Sequence, residues 1–416
     1  MRVLLLADFY PPHIGGVELQ VQALARALAA SGTPVCVATV RQPGLTAEVR
    51  DGAVRIVRLP GLFTAVPWFS GSPTRRFVPP LPDPRLALGL RKLVLEFRAD
   101  VVMAHGWSAY TAGLALAGTG VPLVVSVRDY GYSCATRTLM IDGRVCDGPG
   151  TVKCLRHASR TYGTTKGMVA ALGILGLRRW LAARTRMAHV VSRFVAILTA
   201  RDFLRDRATA ADGTSRVRVI ADIVPLAGPS ASAAGPHPGL PKGPFILFVG
   251  ALQPHKGVGP LIAAYRRLAD PPPLVMIGTR WLDTPDFPAD ITVLSDVPHA
   301  QVMDAWNRCL FGIAPSVWPD PLPGTVREAM SRGKPVIGSA MGGIVDMIED
   351  GITGLLVPPD DEVALADAMR RLLEDPALRA ALGERARADA SRFDAATVAG
   401  WFDALFRDTA PADTAT

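Results

Sequence analysis

The feature that most constrains the fold is an alternation between short apolar runs and segments of helical periodicity. In the first half, "VLLLA" (3–7), "DVVMAHG" (100–106) and "VPLVVSVRD" (121–129) are apolar runs, and the later two end in polar residues. Runs of this kind are typical of parallel strands that are buried on both faces. Between them, "VELQVQALARALAASG" (17–32) has helical spacing and ends in a glycine. Strands that alternate with helices predict a doubly wound parallel sheet of the α/β class.

The same alternation resumes after a segment of different composition. "PLAGPSASAAGPHPGLPKGP" (225–244) is rich in Pro, Gly, Ala and Ser and has no hydrophobic periodicity, which favours a linker. Before it, "RFVAILTARDFLRD" (193–206) and "RVRVIADIV" (216–224) are predicted to continue the strand pattern of the first half. After it, "FILFVGA" (245–251) opens a second series of strands and helices.

These patterns divide the chain into two Rossmann-like domains. We predict an N-terminal domain at 1–224, with a cysteine-rich insertion at 134–157, a linker at 225–243 and a second domain at 244–392. The remaining residues are predicted to form a helix that crosses back to the first domain, followed by a frayed tail (393–416). A chain of 416 residues is too long for one ordinary core. The facing carboxyl ends of the two sheets are predicted to form a cleft that binds anionic ligands.

Composition narrows the class of partner and the compartment. A net charge of +8 favours acidic partners such as phosphates or anionic lipid. The basic residues are dispersed and no aromatic stacking motif accompanies them, which argues against nucleic acid. The first residues do not have the pattern of a signal peptide, and 167–177 is too short an apolar stretch to span a bilayer. Together with five cysteines, this predicts a reducing cytoplasm.

Three glycine-containing loops precede predicted helices and are candidates for anion binding. They hold Gly15 and Gly16, then Gly250 with Lys256, and then "DPLPGTVREAM" (320–330). Backbone amides at a helix N-terminus suit a phosphate, and a lysine there adds a mobile positive charge. The alternatives are an ordinary turn at the first glycine pair and a solvated loop lysine.

The acids of "DPLPGTVREAM" have two competing interpretations. Thr325 and Glu328 match a capping box, in which Glu328 would fold back onto the amide of Thr325. In the other interpretation Glu328 and Asp320 bind a ligand, and Gly324, Thr325 and Val326 present amides to its phosphate. The chain lacks G-x-G-x-x-G after its first strand, which argues against a dinucleotide oxidoreductase, and it has no Walker, HExxH or G-x-S-x-G motif.

Four segments in this order resemble the family 4 glycosyltransferases, which have the GT-B fold. They are "FYPPHIGGVE" (9–18), "FVGALQPHKG" (248–257), "PSVWPDPLPGTVREAMSRGKPVIGSAMGGIVD" (315–346) and "DGITGLLVPP" (350–359). The resemblance covers nearly the whole chain. It implies transfer of a sugar from a nucleotide-sugar to an acceptor with retention of configuration, and no metal or other cofactor in catalysis.

The resemblance also implies roles for single residues. Glu328 would bind both ribose hydroxyls, and Asp320, where the family usually has Glu, would hold hydroxyls of the donor sugar. Lys256 would bind the pyrophosphate, and Gly15 and Gly16 would close over the phosphates.

Three positions depart from or extend this pattern. The arginine that partners the family's lysine is replaced by Ala251, so one positive charge is missing. His105 lies where the family often has a histidine after a strand. Arg128 stands in place of a further histidine, and we hypothesise that it supplies the charge lost at Ala251.

The insertion at 134–157 contains a candidate structural zinc site. Cys134, Cys146, Cys154 and His157 have the residue types of a Cys3His site. The segment is similar to a cysteine-rich insertion in part of the family. The alternative is buried free thiols with a surface histidine.

The segment 164–186 combines an apolar stretch with five basic residues. A helix with Lys166, Arg178, Arg179, Arg184 and Arg186 could lie on anionic lipid at the inner face of the membrane, or it could be a core helix with a basic exposed face. The predicted function is a retaining glycosyltransferase that uses a UDP-, GDP- or other nucleotide-sugar. Its acceptor would be a glycan or lipid-linked molecule in cell-surface polysaccharide or glycolipid synthesis. The alternative is a catalytically impaired nucleotide-sugar-binding protein of the same fold, and a phosphorylase or epimerase fits less well.

Overall fold

The protein forms two compact units. The computed structural model describes residues 1–13, 15–65, 76–205, 216–224, 235–281 and 284–410. Unit 1 comprises Met1–Ile223 and Ala395–Thr416, and unit 2 comprises Val224–Asp394. Most of the predicted linker and the predicted frayed tail lie outside the described residues, so those two predictions stay predictions.

Within the described residues, unit 1 is built on a sheet of eight strands. Their spatial order is β10-β9-β6-β5-β1-β2-β4-β3, and all neighbours are parallel except β3 and β4. The strands are β1 Val3–Ala7, β2 Val35–Val40, β3 Glu48–Asp51, β4 Val54–Leu59, β5 Val101–His105, β6 Leu123–Val127, β9 Thr185–Val190 and β10 Val217–Val219. A separate antiparallel pair lies in the cysteine-rich insertion, formed by β7 Met140–Ile141 and β8 Arg144–Val145.

The helices of unit 1 pack on this sheet or against one another. They are α1 Gly16–Ala30, α2 Pro84–Phe97, α3 Ser108–Ala115, α4 Thr151–Tyr162, α5 Thr164–Arg184, α6 Arg193–Leu198 and α12 Ala395–Thr409. Side chains of α1 and α12 share one core with alternate residues of the central strands, including Leu5, Met103 and Phe402. The crossover segment predicted at 393–416 thus contains a helix that belongs to the core of unit 1.

One strand prediction is wrong. The segment 193–206 was expected to be a strand, but its described part forms α6 and a wider helical turn at Thr199–Leu204. Its buried residues Val195, Leu198 and Phe203 recur with helical spacing, and the Ser192 side chain accepts a hydrogen bond from the Val195 amide at the helix start. The neighbouring strand is β9, whose first two residues fall in the segment 164–186.

Unit 2 is built on six strands in the part of the chain that the structure describes, all of them parallel. Their order is β13-β12-β11-β14-β15-β16. The strands are β11 Ile246–Val249, β12 Leu274–Ile277, β13 Thr292–Leu294, β14 Gly312–Ala314, β15 Val336–Ser339 and β16 Gly354–Val357. The helices are α7 Val258–Tyr265, α8 His299–Arg308, α9 Gly324–Ser331, α10 Glu362–Glu374 and α11 Pro376–Asp389.

Each sheet has a point where the order of the strands reverses. In unit 1 the reversal lies between β1 and β5, and in unit 2 it lies between β11 and β14. The loops that leave the two strands at such a point diverge, and ligands of doubly wound sheets bind in the resulting crevice. The predicted α/β class with two parallel-sheet domains is confirmed. The reversal point of each sheet is the place where a ligand-binding crevice is expected.

Candidate active site

The reversal point of unit 2 is framed by the loops after β11 and β14. These loops are locked together: the Val317 amide donates to the His255 carbonyl over 3.1 Å. Gly257 has a φ of 77°, and a Cβ atom there would lie 1.8 Å from the carbonyl oxygen of Pro315. Only glycine permits both that backbone conformation and that close approach.

The locked loops bring two predicted site residues into direct contact. Lys256 Nζ forms an ion pair with a carboxylate oxygen of Asp320. The ammonium also lies 5.1 Å from the ring centre of Trp318, within the range of a cation–π interaction. Asp320 is buried, whereas the Lys256 side chain is 22% exposed. The partly exposed Lys256 ammonium can therefore contact a ligand, and its ion pair with the buried Asp320 holds it at this point of the site.

Gly342 and Gly343 hold the Asp320 loop by close packing. The Gly343 amide donates to the Asp320 carbonyl over 2.7 Å. Gly342 has a φ of 59°, and a Cβ there would lie 2.4 Å from that same carbonyl oxygen. This glycine pair lies in the loop after β15, and in the described structure it lets that third loop approach the other two.

Helix α9 begins at this reversal point without a side chain that caps it. Its N-cap is Pro323, and among the described residues no side chain accepts from its first turn. The capping-box interpretation is therefore wrong: Thr325 lies inside the helix, and the Glu328 side chain points to another helix. Helix geometry leaves the amides of Gly324, Thr325 and Val326 without partners inside α9.

Glu328 is held by two residues of α8. Its Oε1 is hydrogen-bonded to His299 Nε2 at 3.0 Å, and its Oε2 accepts from Trp306 Nε1 at 3.2 Å. The hydrogen bond to Glu328 raises the pKa of His299. The Glu328 side chain is 15% exposed, so it retains a face to solvent. Sequence reasoning found Glu328 but did not find its two partners.

Arg327 is a charged residue of this region that sequence reasoning missed. It is buried in α9, and burial lowers its pKa to about 10, against the opposing fields of Glu328 and Asp320. It therefore stays protonated at neutral pH, beside the two predicted ligand-binding acids. Its signal in the sequence is an arginine directly before Glu328, at a position that a short packed helix buries.

At the reversal point of unit 1, a side chain of the same unit accepts the hydrogen bonds of the backbone amides at the start of α3. The buried carboxylate of Asp8, directly after β1, accepts from the Trp107 amide at 3.0 Å and the Ser108 amide at 2.7 Å. Gly106 has a φ of 74°, and a Cβ there would lie 2.4 Å from that carboxylate. Burial raises the pKa of Asp8, and the field of Arg137 opposes this rise. Asp8 was missed although it directly follows β1.

His105 and Arg128 lie together beside this point, inside unit 1. Arg128 Nε is 3.4 Å from His105 Nδ1, and its guanidinium forms a buried ion pair with Asp222. Burial lowers the pKa of His105 well below its usual value, and the charge of Arg128 acts in the same direction. The imidazole is therefore neutral. The charge of Arg128 has a local counterion, so its proposed compensation for Ala251 stays a hypothesis.

The two glycines at the start of α1 differ in their surroundings. Gly15 is the N-cap of α1, and a Cβ there would lie 2.3 Å from a Glu18 carboxylate oxygen. At Gly16 a Cβ would meet no atom within 4 Å. Glu18 thus occupies the space next to Gly15, whereas Gly16 leaves room for a ligand. Gly250, after β11, has its amide bonded to the Ile277 carbonyl at 2.9 Å and serves the strand junction.

The cysteine-rich insertion gathers three thiols without a metal-binding arrangement of side chains. Cys134 Sγ lies 3.2 Å from Thr136 Oγ1, Cys146 Sγ donates to the Gly148 carbonyl, and Cys154 Sγ accepts from the Gly150 amide. Burial raises the pKa of Cys154, and the nearby Cys134 and Cys146 add to this rise. Across the described ranges, no three His, Cys, Asp or Glu side chains lie close enough together to hold a metal ion, and this includes the three cysteines and His157. The zinc site stays a prediction.

Two family models match the chain, and together they cover both units. The model described as a glycosyl transferase 4-like domain matches residues 15–222, and the model described as glycosyl transferases group 1 matches residues 236–389. The first of these spans half of the chain. This chain is a family 4 glycosyltransferase. The family assignment and the enzyme class that the four sequence segments implied are confirmed.

Several proteins align with this glycosyltransferase over nearly its full length. Glycogen synthase from Mycobacterium tuberculosis is 27% identical over 434 residues, which covers 96% of this chain and 92% of that protein. Sucrose-phosphate synthase from Thermosynechococcus elongatus has a TM-score of 0.70 at 19% identity and covers 98% of this chain and 99% of its own. HepE from Anabaena, in complex with UDP and glucose, has a TM-score of 0.65 at 18% identity, with 98% and 100% covered. At these identities the structural likeness shows the fold, which is GT-B.

Within the described ranges, no helix of this glycosyltransferase combines the length and apolar character that a bilayer span requires.

Proposed function

We propose that unit 2 binds the nucleotide-sugar donor at the reversal point between β11 and β14. The observation that carries the proposal is the start of α9, which no described side chain caps and which follows Asp320, the ion-pair partner of Lys256. Free amides at a helix N-terminus and a partly exposed lysine suit a pyrophosphate. Glu328, with both oxygens directed by α8, binds the ribose hydroxyls, and Asp320 binds hydroxyls of the sugar.

The proposed chemistry is stabilisation of a leaving diphosphate. As the bond between sugar and phosphate breaks, negative charge grows on the phosphate, and fixed amides and cations at that position lower the barrier. The lysine and the amides of Gly324, Thr325 and Val326 supply this stabilisation without a metal. The charges of Glu328 and Asp320 act on the buried Arg327 guanidinium, which adds positive charge beside these two acids.

We propose that transfer retains the anomeric configuration. Asp320 is paired with Lys256, and Glu328 with His299 and Trp306, so neither acid is arranged as a nucleophile or as half of a glycosidase pair. Departure and attack on the same face of the sugar, with the leaving phosphate taking the proton of the acceptor, require no enzymic nucleophile.

The acceptor is assigned to unit 1, and we propose a glycan or a lipid-linked molecule in polysaccharide or glycolipid synthesis. The loops proposed to recognise it are 60–85, 105–111 and 128–165; residues 66–75 lie outside the described ranges. In the second of these loops, the Asp8 contacts fix the backbone at the start of α3. Fixed backbone at the carboxyl edge of a sheet is suited to specific recognition.

A contact with the inner face of the membrane through α5 accompanies this proposal. Leu172 is 53% exposed and Met168 is 43% exposed, four residues apart on one side of α5. Four basic residues of the helix accompany them, Lys166, Arg178, Arg179 and Arg184, whereas Arg186 lies in β9. Apolar and basic side chains on one helix favour anionic lipid. Co-sedimentation with vesicles that contain phosphatidylserine, at low and high salt, tests this contact.

Turnover of nucleotide-sugars tests the proposed function. The purified protein is incubated with UDP-, ADP- and GDP-glucose, and release of the nucleoside diphosphate is measured beside the shift in melting temperature. We expect one donor to raise the melting temperature and to be hydrolysed slowly, because water replaces the acceptor. Binding without hydrolysis would favour the catalytically impaired binding protein. If no donor raises the melting temperature and no donor is hydrolysed, the proposal is contradicted.

A further inference from the structure

The side chains that hold Glu328 come from one face of α8. His299 and Trp306 are seven residues apart, which is close to two helical turns, so they lie one above the other. Each donates to a different oxygen of the Glu328 carboxylate, His299 to Oε1 at 3.0 Å and Trp306 to Oε2 at 3.2 Å. The carboxylate is therefore fixed at both oxygens by a helix other than its own.

We infer that His299 and Trp306 are positioning residues, which orient the Glu328 carboxylate to accept two neighbouring hydroxyls of a ribose. This inference rests on the proposed function. An ionised carboxylate has about four lone-pair sites, two on each oxygen. The contacts with α8 use one site on each oxygen, so one site on each oxygen is left for a ligand. Two acceptors at the separation of carboxylate oxygens match the two adjacent hydroxyls of a ribose.

The two donors differ in how firmly they are held. Trp306 is buried, and its ring lies against Gly312 of β14, where a Cβ atom would be 2.7 Å from the ring. Indole nitrogen can only donate a hydrogen bond, so Trp306 specifies an acceptor at one fixed place. Gly312 therefore acts on Glu328 indirectly, because it provides the space that seats the indole.

His299 is the adjustable donor of the pair. Its side chain is 50% exposed, and its Nε2 donates only while it carries a proton. The hydrogen bond and charge of Glu328 raise the pKa of His299, whereas partial burial and the charge of Arg332 act against this rise. No other described residue is among the causes of the shift. The pair thus combines a donor fixed by packing with a half-exposed donor whose charge depends on pH.

Titration calorimetry with paired nucleotides tests the inference. UDP, ADP and GDP are compared with their 2′-deoxy forms, and the base with the highest affinity is used for the variants. The wild type is expected to prefer the ribose form. Trp306→Phe and His299→Ala each remove one hydrogen bond to the carboxylate and are expected to weaken the ribose form about fivefold. The 2′-deoxy form is expected to change less than twofold, because it forms only part of the contact.

Conservative and remote variants separate positioning from general damage. His299→Gln keeps a donor and is expected to restore most of the ribose preference. His237→Ala, at a partly exposed histidine of unit 2 whose side chain accepts from the nearby Gly239 amide, is the control and is expected to change neither affinity. If Trp306→Phe fails to fold, as judged by its melting curve, His299→Ala carries the test because its side chain is exposed.

The outcomes distinguish this inference from the proposed function. If His299→Ala and folded Trp306→Phe bind both nucleotide forms as the wild type does, while Glu328→Gln loses the ribose preference, the positioning role is overturned and the ribose contact stands. If Glu328→Gln keeps the full preference, the ribose contact itself is wrong. If the wild type binds no nucleotide of either form, the proposed function fails and the positioning role fails with it.

Discussion

The two units differ in how the first backbone amides of the helix at the reversal point are hydrogen-bonded. In unit 1, the first amides at α3 are bonded to the buried carboxylate of Asp8. In unit 2, α9 starts after Pro323, and no described side chain caps it. The two sheets have the same parallel construction on either side of the reversal, so the difference lies in a few loop residues.

The difference shows where a ligand can replace part of the protein. Buried amides require an acceptor, and a unit that supplies its own acceptor has no electrostatic reason to bind an anion there. Asp8 fills that requirement in unit 1. In unit 2 no described side chain fills that role at the start of α9, so the proposed site would accept an anion from outside.

The largest expected effect comes from removal of the cation in unit 2. Lys256→Met is expected to slow sugar transfer or donor hydrolysis about 100-fold or more, because it removes a charge aimed at the leaving phosphate. Initial rates with the preferred donor measure the effect. Lys92→Met, at an exposed residue of α2 in unit 1, is the control. A rate within threefold of the wild type (about 0.7 kcal/mol) would contradict the proposed role of Lys256 at the leaving phosphate.

The second effect concerns the close packing that shapes the site in unit 2. Gly342→Ala is expected to lower the free energy of unfolding by about 3 kcal/mol, since the added Cβ collides with Asp320 and glycine is replaced at a positive φ. Urea denaturation measures the change. The control is Gly259→Ala in α7, where a Cβ meets no atom within 4 Å and should be neutral or stabilising by up to about 1 kcal/mol. Equal effects at both positions would refute the role of close packing.

The third effect opens the helix start in unit 1. Asp8→Ala is expected to cost about 2 kcal/mol in the free energy of unfolding, because two buried amides lose their acceptor. Nucleotide affinity should stay unchanged, since the proposed donor site lies in unit 2. The matched control is Asp367→Ala, which removes only a surface ion pair with Arg370 and should change stability by less than about 0.5 kcal/mol. A loss of nucleotide affinity in Asp8→Ala, with stability retained, would reverse the assignment of the two units.

The smallest effect is the pH dependence of the contact between His299 and Glu328. The pKa of His299 is raised in the folded protein, so the stability from this contact is complete below the usual value of 6.5 and is lost as pH rises through the raised pKa. The side chain is half exposed, which limits the effect to about 0.5 kcal/mol. Melting temperatures of the wild type and His299→Gln should converge as pH rises, and a constant difference would exclude the protonated contact.

The sequence predicts the framework of this site better than its contacts. Apolar runs locate β1, β5, β6 and β11. Parallel strands present their carboxyl ends at one edge of a sheet, which is where His105, the last residue of β5, and Lys256, in the loop after β11, are found. The partners of Glu328 could not be predicted, since α8 lies more than 20 residues earlier and its two donors gain meaning only when α8 and α9 pack. The segment 193–206 failed for a related reason, because a short apolar run does not by itself distinguish a strand from a helix.

The return of α12 to unit 1 has a consequence for the order in which the protein is made. Unit 2 is one continuous stretch of chain, whereas unit 1 is interrupted by it. The core of unit 1 includes Val398, Phe402 and Phe406, which the ribosome adds only after all of unit 2. Until then, the apolar surface of α1 and the central strands lacks part of its cover and is a target for chaperones or aggregation. Synthesis therefore completes the second half of this enzyme before the first.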